Sequence, residues 1–194
     1  MVSQVFFVRH GETAWSDSGR HTGTTEIALT AKGERDALGL AAGLKGAGFT
    51  RVLVSPRERA RRTCELAGWG AVSEVDPALS EWDYGAYEGV RSADILQDRP
   101  GWNLFTDGCP DGESPAQVGA RADQLIARLR AMEGKVALFS HGHFGRALAA
   151  RWAELPVAAG ERLLLDTASL SILGFEHANP AAPVLALWNE RAPG

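Results

Sequence analysis

The sequence predicts an α/β fold, a three-layer sandwich in which a mostly parallel central sheet carries helices on both faces. Three observations lead there. Apolar strand-like runs alternate with segments of helical periodicity, the pattern of strands buried between helix layers. Helix-start signals follow several of those runs. No repeat, low-complexity tract or Pro/Ser linker divides the 194 residues, so residues 1–194 are expected to form a single domain.

Val5-Phe6-Phe7-Val8 reads as a buried first strand. Thr30 then caps a helix whose Ala37, Leu40, Ala41 and Leu44 share one face, and the Gly46/Gly48 pair ends it. Arg51–Val54 reads as a second short strand. Ser55-Pro56-Arg57-Glu58 has capping-box form, with Ser at the N-cap, Pro at the first helical position and Glu three residues on. The helix it opens carries Ala60, Thr63, Cys64 and Ala67 along one stripe, which makes Cys64 a small core residue. Ser114-Pro115-Ala116-Gln117 repeats the start signal before Val118, Ala122, Leu125, Ile126 and Leu129. Lys135–Ser140 is the strongest strand signal, followed by a helix from about Phe144 to Leu155 that Pro156 stops. Ser169–Phe175 and Val184–Trp188 flank the turn signal Asn179-Pro180 and are expected to pair as edge strands.

Composition narrows the function classes. At 45% hydrophobic and 23% charged residues the chain is neither disordered nor fibrous. No apolar run approaches the roughly 20 residues that cross a bilayer. The apolar run Val5–Val8 is too short for a signal peptide and has no basic segment before it. Cys64 and Cys109 do not make a disulfide framework, so a reducing cytoplasm is expected. Cys109, within Gly108-Cys109-Pro110-Asp111-Gly112, is expected to pack a loop. Lys+Arg 20 against Asp+Glu 24 gives a net charge of −4 and no nucleic-acid footprint. The run Arg57-Glu58-Arg59-Ala60-Arg61-Arg62 therefore needs another account: Arg59 belongs to a site, while Arg57, Arg61 and Arg62 are either solvated or widen its positive rim.

In open α/β sheets ligands bind beyond the carboxyl ends of the strands. The first strand ends in Arg9-His10-Gly11, the second in Ser55-Pro56 with Arg59 close behind, and the Lys135–Phe139 strand in Ser140-His141-Gly142-His143. A parallel sheet brings two arginines and two histidines to one edge. Guanidinium forks, imidazoles and helix N-termini together suit a doubly charged phosphate. Lysine would grip two oxygens in a set plane less well.

These segments, with Ser55-Pro56-x-x-Arg59-Ala60-x-x-Thr63 and Leu79-x-Glu81-x-x-Tyr84-Gly85, resemble the histidine phosphatase (phosphoglycerate mutase-like) superfamily, in the family's order over nearly the whole chain. The resemblance implies that His10 takes the phosphoryl group as phosphohistidine. It implies that Arg9, Arg59 and His141 hold the phosphoryl oxygens. It makes Glu81 the general acid that protonates the leaving alcohol, then the base that activates water. It implies no cofactor and no metal, and a homodimer through a sheet edge as a family-level expectation. Attack requires neutral His10 with its other ring nitrogen hydrogen-bonded. Glu81 must carry a proton to donate it, with Trp82 and Tyr84 expected to assist by desolvation, so activity is expected to favour acid.

Several departures from the mutases point to water as the phosphoryl acceptor. Ser16 follows Trp15 where mutases carry asparagine, and Trp82 stands where they place an arginine. The Gly89–Ser114 segment is short and lacks an adjacent arginine pair, and an extended C-terminal tail is missing. Ser18–Glu26, Gly108-Cys109-Pro110-x-Gly112-Glu113-Ser114 and Ser140–Phe144 are similar to the branch of broad acid phosphatases and sugar-bisphosphate phosphatases. The expected function is a phosphomonoesterase of small phosphorylated metabolites, sugar phosphates or similar. The alternatives are a phosphoglycerate mutase and a non-catalytic binding module. Ser16, His21, Thr22, Gly23, Tyr84 and Gly142 would then border the substrate, with a tight structural turn as the other reading of Thr22 and Gly23. His143 either lines the pocket or caps the next helix. Few cations are expected on the leaving-group side, which favours sugars or small alcohols over polyanions. Nucleic-acid and membrane partners are not expected.

Overall fold

The computed structural model describes residues 1–191. Six strands form one sheet: β1 (Val2–Arg9), β2 (Phe49–Val54), β3 (Ser73–Val75), β4 (Gly134–Ser140), β5 (Ser169–Phe175) and β6 (Pro183–Arg191). Their order is β3-β2-β4-β1-β5-β6; β3, β2, β4 and β1 run parallel, and β5 and β6 are antiparallel to their neighbours. The helices are α1 (Ala14–Asp17), α2 (Ala31–Leu44), α3 (Glu58–Leu66), α4 (Ser92–Asp98), α5 (Leu104–Asp107), α6 (Pro115–Ala131) and α7 (Gly142–Trp152). Among the described residues no helix is long and apolar enough to cross a membrane.

The strand period of two builds both cores. Val5 and Phe7 of β1 and Val136 and Leu138 of β4 pack with α6 and α7 through Leu125, Leu129, Leu148 and Trp152. The intervening Phe6, Val8, Ala137 and Phe139 pack on the opposite face with Leu40 and Leu44 of α2 and Ala60 and Cys64 of α3. Neighbouring side chains of β1 and β4 thus enter different cores, as successive Cβ atoms of a pleated strand must. Thr30 caps α2 through its hydroxyl, and Ser114 and Gln117 close the expected capping box on α6.

Three elements differ from the sequence expectation. Helix α3 begins at Glu58 with Arg57 as N-cap rather than at Pro56 after Ser55: the Ser55 hydroxyl accepts from Arg57 N–H at 3.3 Å as well as from His141, and the Glu58 N–H that a capping box would use is taken by Glu26 at 3.0 Å. Helix α7 starts at Gly142 and stops at Trp152, where Glu154 turns left-handed (φ 59°) and Leu155 N–H bonds back to Ala150 at 2.9 Å. Strand β5 is interior, between β1 and β6; the edges are β6 and the three-residue β3.

A close backbone contact sets the loop after β1. A Cβ on Gly11 would fall 2.5 Å from the Gly33 carbonyl oxygen, and one on Gly33 would fall 2.2 Å from that of Glu12. Helix propensity alone predicts that Gly33→Ala stabilises α2 by about 1 kcal/mol. The contact reverses that sign: we expect a loss of about 1–3 kcal/mol. A thermal melt of Gly33→Ala at or above the wild-type Tm would contradict it.

Candidate active site

The carboxyl ends of β1, β2 and β4 converge as the sequence pattern requires. The His10 N–H donates to the Ser140 carbonyl at 3.0 Å, and its own carbonyl accepts from Ala168 N–H at 3.0 Å, so its backbone is fixed from β4 and from the turn that leads into β5. The next residue is tied to α3, where Gly11 N–H donates to Thr63 Oγ1 at 2.9 Å and that hydroxyl donates to the Arg59 carbonyl at 2.7 Å. His10 Nδ1 lies 2.7 Å from the Gly11 carbonyl oxygen. A carbonyl only accepts, so Nδ1 carries the hydrogen and Nε2 keeps its lone pair. Burial first, then the Arg59 and Arg9 charges, hold His10 well below the ordinary histidine range. The imidazole is neutral.

Two fully buried groups stand behind it. Arg59 Nε donates to His141 Nδ1 at 3.2 Å, and its terminal nitrogens donate to the carbonyls of Thr22 (2.8 Å), Gly23 (3.1 Å) and Thr25 (3.1 Å). With Nδ1 accepting, His141 Nε2 carries the hydrogen and donates to Ser55 Oγ at 2.7 Å. The His10 and His141 rings meet edge to face with centroids 5.2 Å apart. Among the described residues Arg59 has no acidic partner within ion-pair distance; it supplies charge while its N–H groups pin the loop 22–25. Arg9 contributes a second guanidinium, one terminal nitrogen on the Leu165 carbonyl and its Nε without a partner among the described residues. It lies against Gly142, where a Cβ would come within 3.1 Å of its Cζ.

Glu81 is fixed from the start of α7. Its Oε1 accepts from Phe144 N–H (2.7 Å) and Trp82 N–H (2.9 Å), and Oε2 from His143 N–H (3.1 Å). Two of these donors are first-turn amides that a helix leaves unpaired, at the positive end of its dipole. Trp82 therefore fixes the carboxylate through its backbone, while its indole donates to the Glu113 carbonyl at 2.8 Å. Arg121 of α6 holds the same loop, bonding the carbonyls of Ala78, Ser80 and Glu81 and pairing with Glu113 at 2.7 Å.

A cavity of about 150 Å³ opens in front of His10. Arg9, His10, Ser16, His21, Thr22, Glu81, Tyr84 and Gly142 all line it, whereas Arg59 and His141 lie behind and Gly23 faces away with its N–H on Glu88 at 3.0 Å. Ser16 is also the partner of Thr13 in the α1 capping box, which occupies its hydroxyl. His143 is a wall residue: Tyr84 Oη lies 2.6 Å from its Nδ1. Burial pushes the Tyr84 phenol well above its usual range and His143 well below its own, so the phenol donates to Nδ1 and His143 Nε2 carries a hydrogen. The sequence reading missed Arg20, Ser92, Arg146 and Leu165 in the wall. Arg146 sits three residues after His143 on one helix face, a signal present in the sequence; Ser92 carries none. The expectation of few cations around the leaving group is not met. The basic run resolves as well: Arg57 bonds Thr24 and Glu26, Arg62 pairs with Glu34 and Glu65, and Arg61 is exposed to solvent.

Burial is the first cause of a lowered pKa at His10, His21, His141 and His143 alike. Below about pH 6.5 the unfolded chain protonates these imidazoles and the folded chain does not, so acid favours unfolding. Their contribution is complete above that value and declines as pH falls, by at most about 1.4 kcal/mol per pH unit for each histidine. Melting curves between pH 8 and 5 should show Tm falling below 6.5; a Tm that holds or rises on acidification would contradict the buried neutral state.

Charge decides what the cavity takes. Its wall carries Arg9, Arg20 and Arg146 against Glu81, with Arg59 behind, which suits a compact oxyanion. Among the described residues no group of three or more His, Cys, Asp or Glu is spaced to hold a metal ion. Fold and site together define a phosphoryl-handling α/β protein. The chain belongs to the histidine phosphatase superfamily (branch 1), whose family model matches residues 5–191. It is 46% identical to an acid phosphatase of Mycobacterium tuberculosis, over 98% of this chain and 95% of that protein. It is 34% identical to sedoheptulose 1,7-bisphosphatase of Saccharomyces cerevisiae, over 81% of this chain and 70% of that one. A solved structure of a Mycobacterium tuberculosis open-reading-frame product superposes with a TM-score of 0.92 at 44% identity, covering 98% and 99% of the two chains.

Proposed function

We propose that this chain is a phosphomonoesterase of small phosphorylated metabolites, sugar phosphates or similar, that works through a phosphohistidine on His10. The observation that carries the reading is the 2.7 Å bond from His10 Nδ1 to the Gly11 carbonyl, which leaves the Nε2 lone pair at the cavity wall without a partner among the described residues. In the first step that lone pair forms the N–P bond, the ester P–O bond breaks, and Glu81 gives its proton to the departing alkoxide. In the second step Glu81 takes a proton from water, the water oxygen forms a P–O bond, and the P–N pair returns to His10. The two steps replace one very slow hydrolysis. Arg9 and Arg59 oppose the charge that gathers on the phosphoryl oxygens, and the Nε2–H of His143 is a further donor at the wall.

We read the chain further as a single domain over 1–194, which the single six-stranded sheet supports. A cytoplasmic setting is supported by Cys64 and Cys109 being free, their thiols pushed up to about 12 by burial. Homodimerisation through a sheet edge is read out by sedimentation. The central test is phosphate release by wild type from p-nitrophenyl phosphate, sugar mono- and bisphosphates and 3-phosphoglycerate, across pH 5–8. Release from several of these, highest in acid, is expected. Conversion of 3-phosphoglycerate to its 2-isomer without release would replace the reading with a mutase. A flat pH profile would remove Glu81 as proton donor.

A further inference from the structure

The buried charge of Arg59 meets its counter-charge through the backbone. Among the described residues no carboxylate lies within ion-pair distance of Arg59, and no Lys or Arg lies within that distance of Glu88. The loop 22–25 stands between the two. On one side the Glu88 carboxylate accepts from Gly23 N–H, 3.0 Å from either oxygen, and from Thr25 N–H at 2.9 Å. On the other side the carbonyl of Thr22 accepts from Arg59 at 2.8 Å and that of Thr24 from Arg57 at 2.9 Å. A trans peptide points its N–H and C=O in opposite directions. Peptide groups 22–23 and 24–25 therefore each set their positive end on Glu88 and their negative end on a guanidinium. The carbonyls of Gly23 and Thr25 add two further bonds to Arg59, both at 3.1 Å.

The sequence around this bridge keeps it in place. A Cβ at position 23 would fall 2.9 Å from Glu88 Oε2 and 2.7 Å from the Trp82 carbonyl oxygen, so glycine lets the backbone reach the carboxylate. The residues after Glu88 pair with those before the loop. Gly89 N–H donates to the His21 carbonyl at 2.9 Å, His21 N–H donates to the Val90 carbonyl at 3.0 Å, and Arg20 bridges Arg91 in the same antiparallel sense. Arg59 Nε then donates to His141 Nδ1 at 3.2 Å, which carries the chain of contacts to the histidine beside His10. Glu88 itself is not among the residues that line the cavity. We propose that Glu88 is a positioning residue for phosphoryl transfer: through peptide 22–23 it orients the Arg59 fork, so that the guanidinium is already placed for the charge that gathers in the transition state. This rests on the phosphomonoesterase reading and deepens it. Hydrogen bonds to an ionised acceptor are about twice as strong as neutral ones, so the charge of Glu88, beyond its shape, is what holds the loop.

The test compares full-length wild type, Glu88→Gln, Glu88→Asp, Arg59→Lys and the Glu88→Gln/Arg59→Lys double variant, with p-nitrophenyl phosphate as substrate. Glu88→Gln keeps the size and one acceptor oxygen while removing the charge. Misplacing a preorganised group costs roughly 10- to 100-fold, and the loss should fall on kcat with KM held within about threefold. Vanadate, which takes a fifth ligand as the transferring phosphoryl group does, should inhibit more weakly by a similar factor, while the Ki of inorganic phosphate stays near its wild-type value. Glu88→Asp keeps the charge on a shorter arm and should recover part of the loss. Because Glu88 acts through Arg59, the double variant should be slower than Arg59→Lys by far less than the Glu88→Gln factor alone. The Arg59 Nε–H resonance, identified by its loss in Arg59→Lys, reads the same link without turnover. Its exchange with water should be slow in wild type and about tenfold faster or more in Glu88→Gln. A Glu88→Gln kcat within about twofold of wild type, losses that multiply in the double variant, or an unchanged Arg59 resonance would each overturn the proposal and leave the phosphatase standing. Lost activity with both inhibition constants unchanged would report a smaller folded fraction and overturn it too. No release by wild type would instead sink the phosphatase reading, with the Arg59 resonance still deciding whether Glu88 places the guanidinium.

Discussion

Replacing His10 with alanine should lower phosphate release by about 10⁴-fold or more, because a covalent nucleophile has no substitute among its neighbours. His141 is the adjacent imidazole, but Arg59 occupies its Nδ1 and Ser55 its Nε2, so it has no lone pair to offer. His143 is equally committed, with Nδ1 on Tyr84. The loss should fall on kcat with every substrate alike. Rapid quenching of wild type with labelled substrate should trap an acid-labile phosphoenzyme, absent from His10→Ala. A variant that retains turnover within tenfold of wild type would place the nucleophile elsewhere.

Arg59→Met should give the largest loss of stability. The side chain is fully buried, and its removal leaves three loop carbonyls and the His141 ring nitrogen without their donor. Each unsatisfied buried group costs about 1–3 kcal/mol, and because such terms are not additive the sum is roughly 3–5 kcal/mol. For a chain of this size that lowers Tm by about 10 °C. Activity should fall further than the residual fold explains, since a charge that adds to burial in keeping His10 neutral, and that opposes the phosphoryl charge, is lost. Arg59→Lys restores the charge without the planar fork, so it should recover part of the activity and little of the loop's order. If Arg59→Met melted within two degrees of wild type, the loop would not depend on it.

Most of the frame was legible because burial writes itself into the sequence. Val136–Phe139 and Val5–Val8 are apolar at successive positions, as strands covered on both faces must be. Strand β3 was not legible, since Ser73-Glu74-Val75 is a short edge piece held by backbone pairing and the exposed Arg51–Glu74 ion pair. Ser55 was misread because the capping box needs the Glu58 N–H, which Glu26 takes from a distant loop, while the Ser55 hydroxyl serves Arg57 N–H and His141 instead. Glu81 was found by its motif, but its setting was not. Aromatic neighbours in sequence suggested an apolar pocket, whereas the carboxylate is held by amides from a helix 60 residues away, which no local pattern records. Arg146 escaped because a helical arginine near a surface reads as solvated until the carbonyls of Gly160 and Glu161 are brought beneath it.

The clasp of Arg121 on the Glu81 loop separates the anchors of the two reacting groups. The nucleophile's backbone is tied to β4, to Ala168 before β5 and, through Gly11, to α3. The proton donor's loop, by contrast, is anchored by a side chain of α6 and by the first turn of α7. Loosening those two helices would displace the group that releases the alcohol while the acceptor's own backbone ties stayed intact.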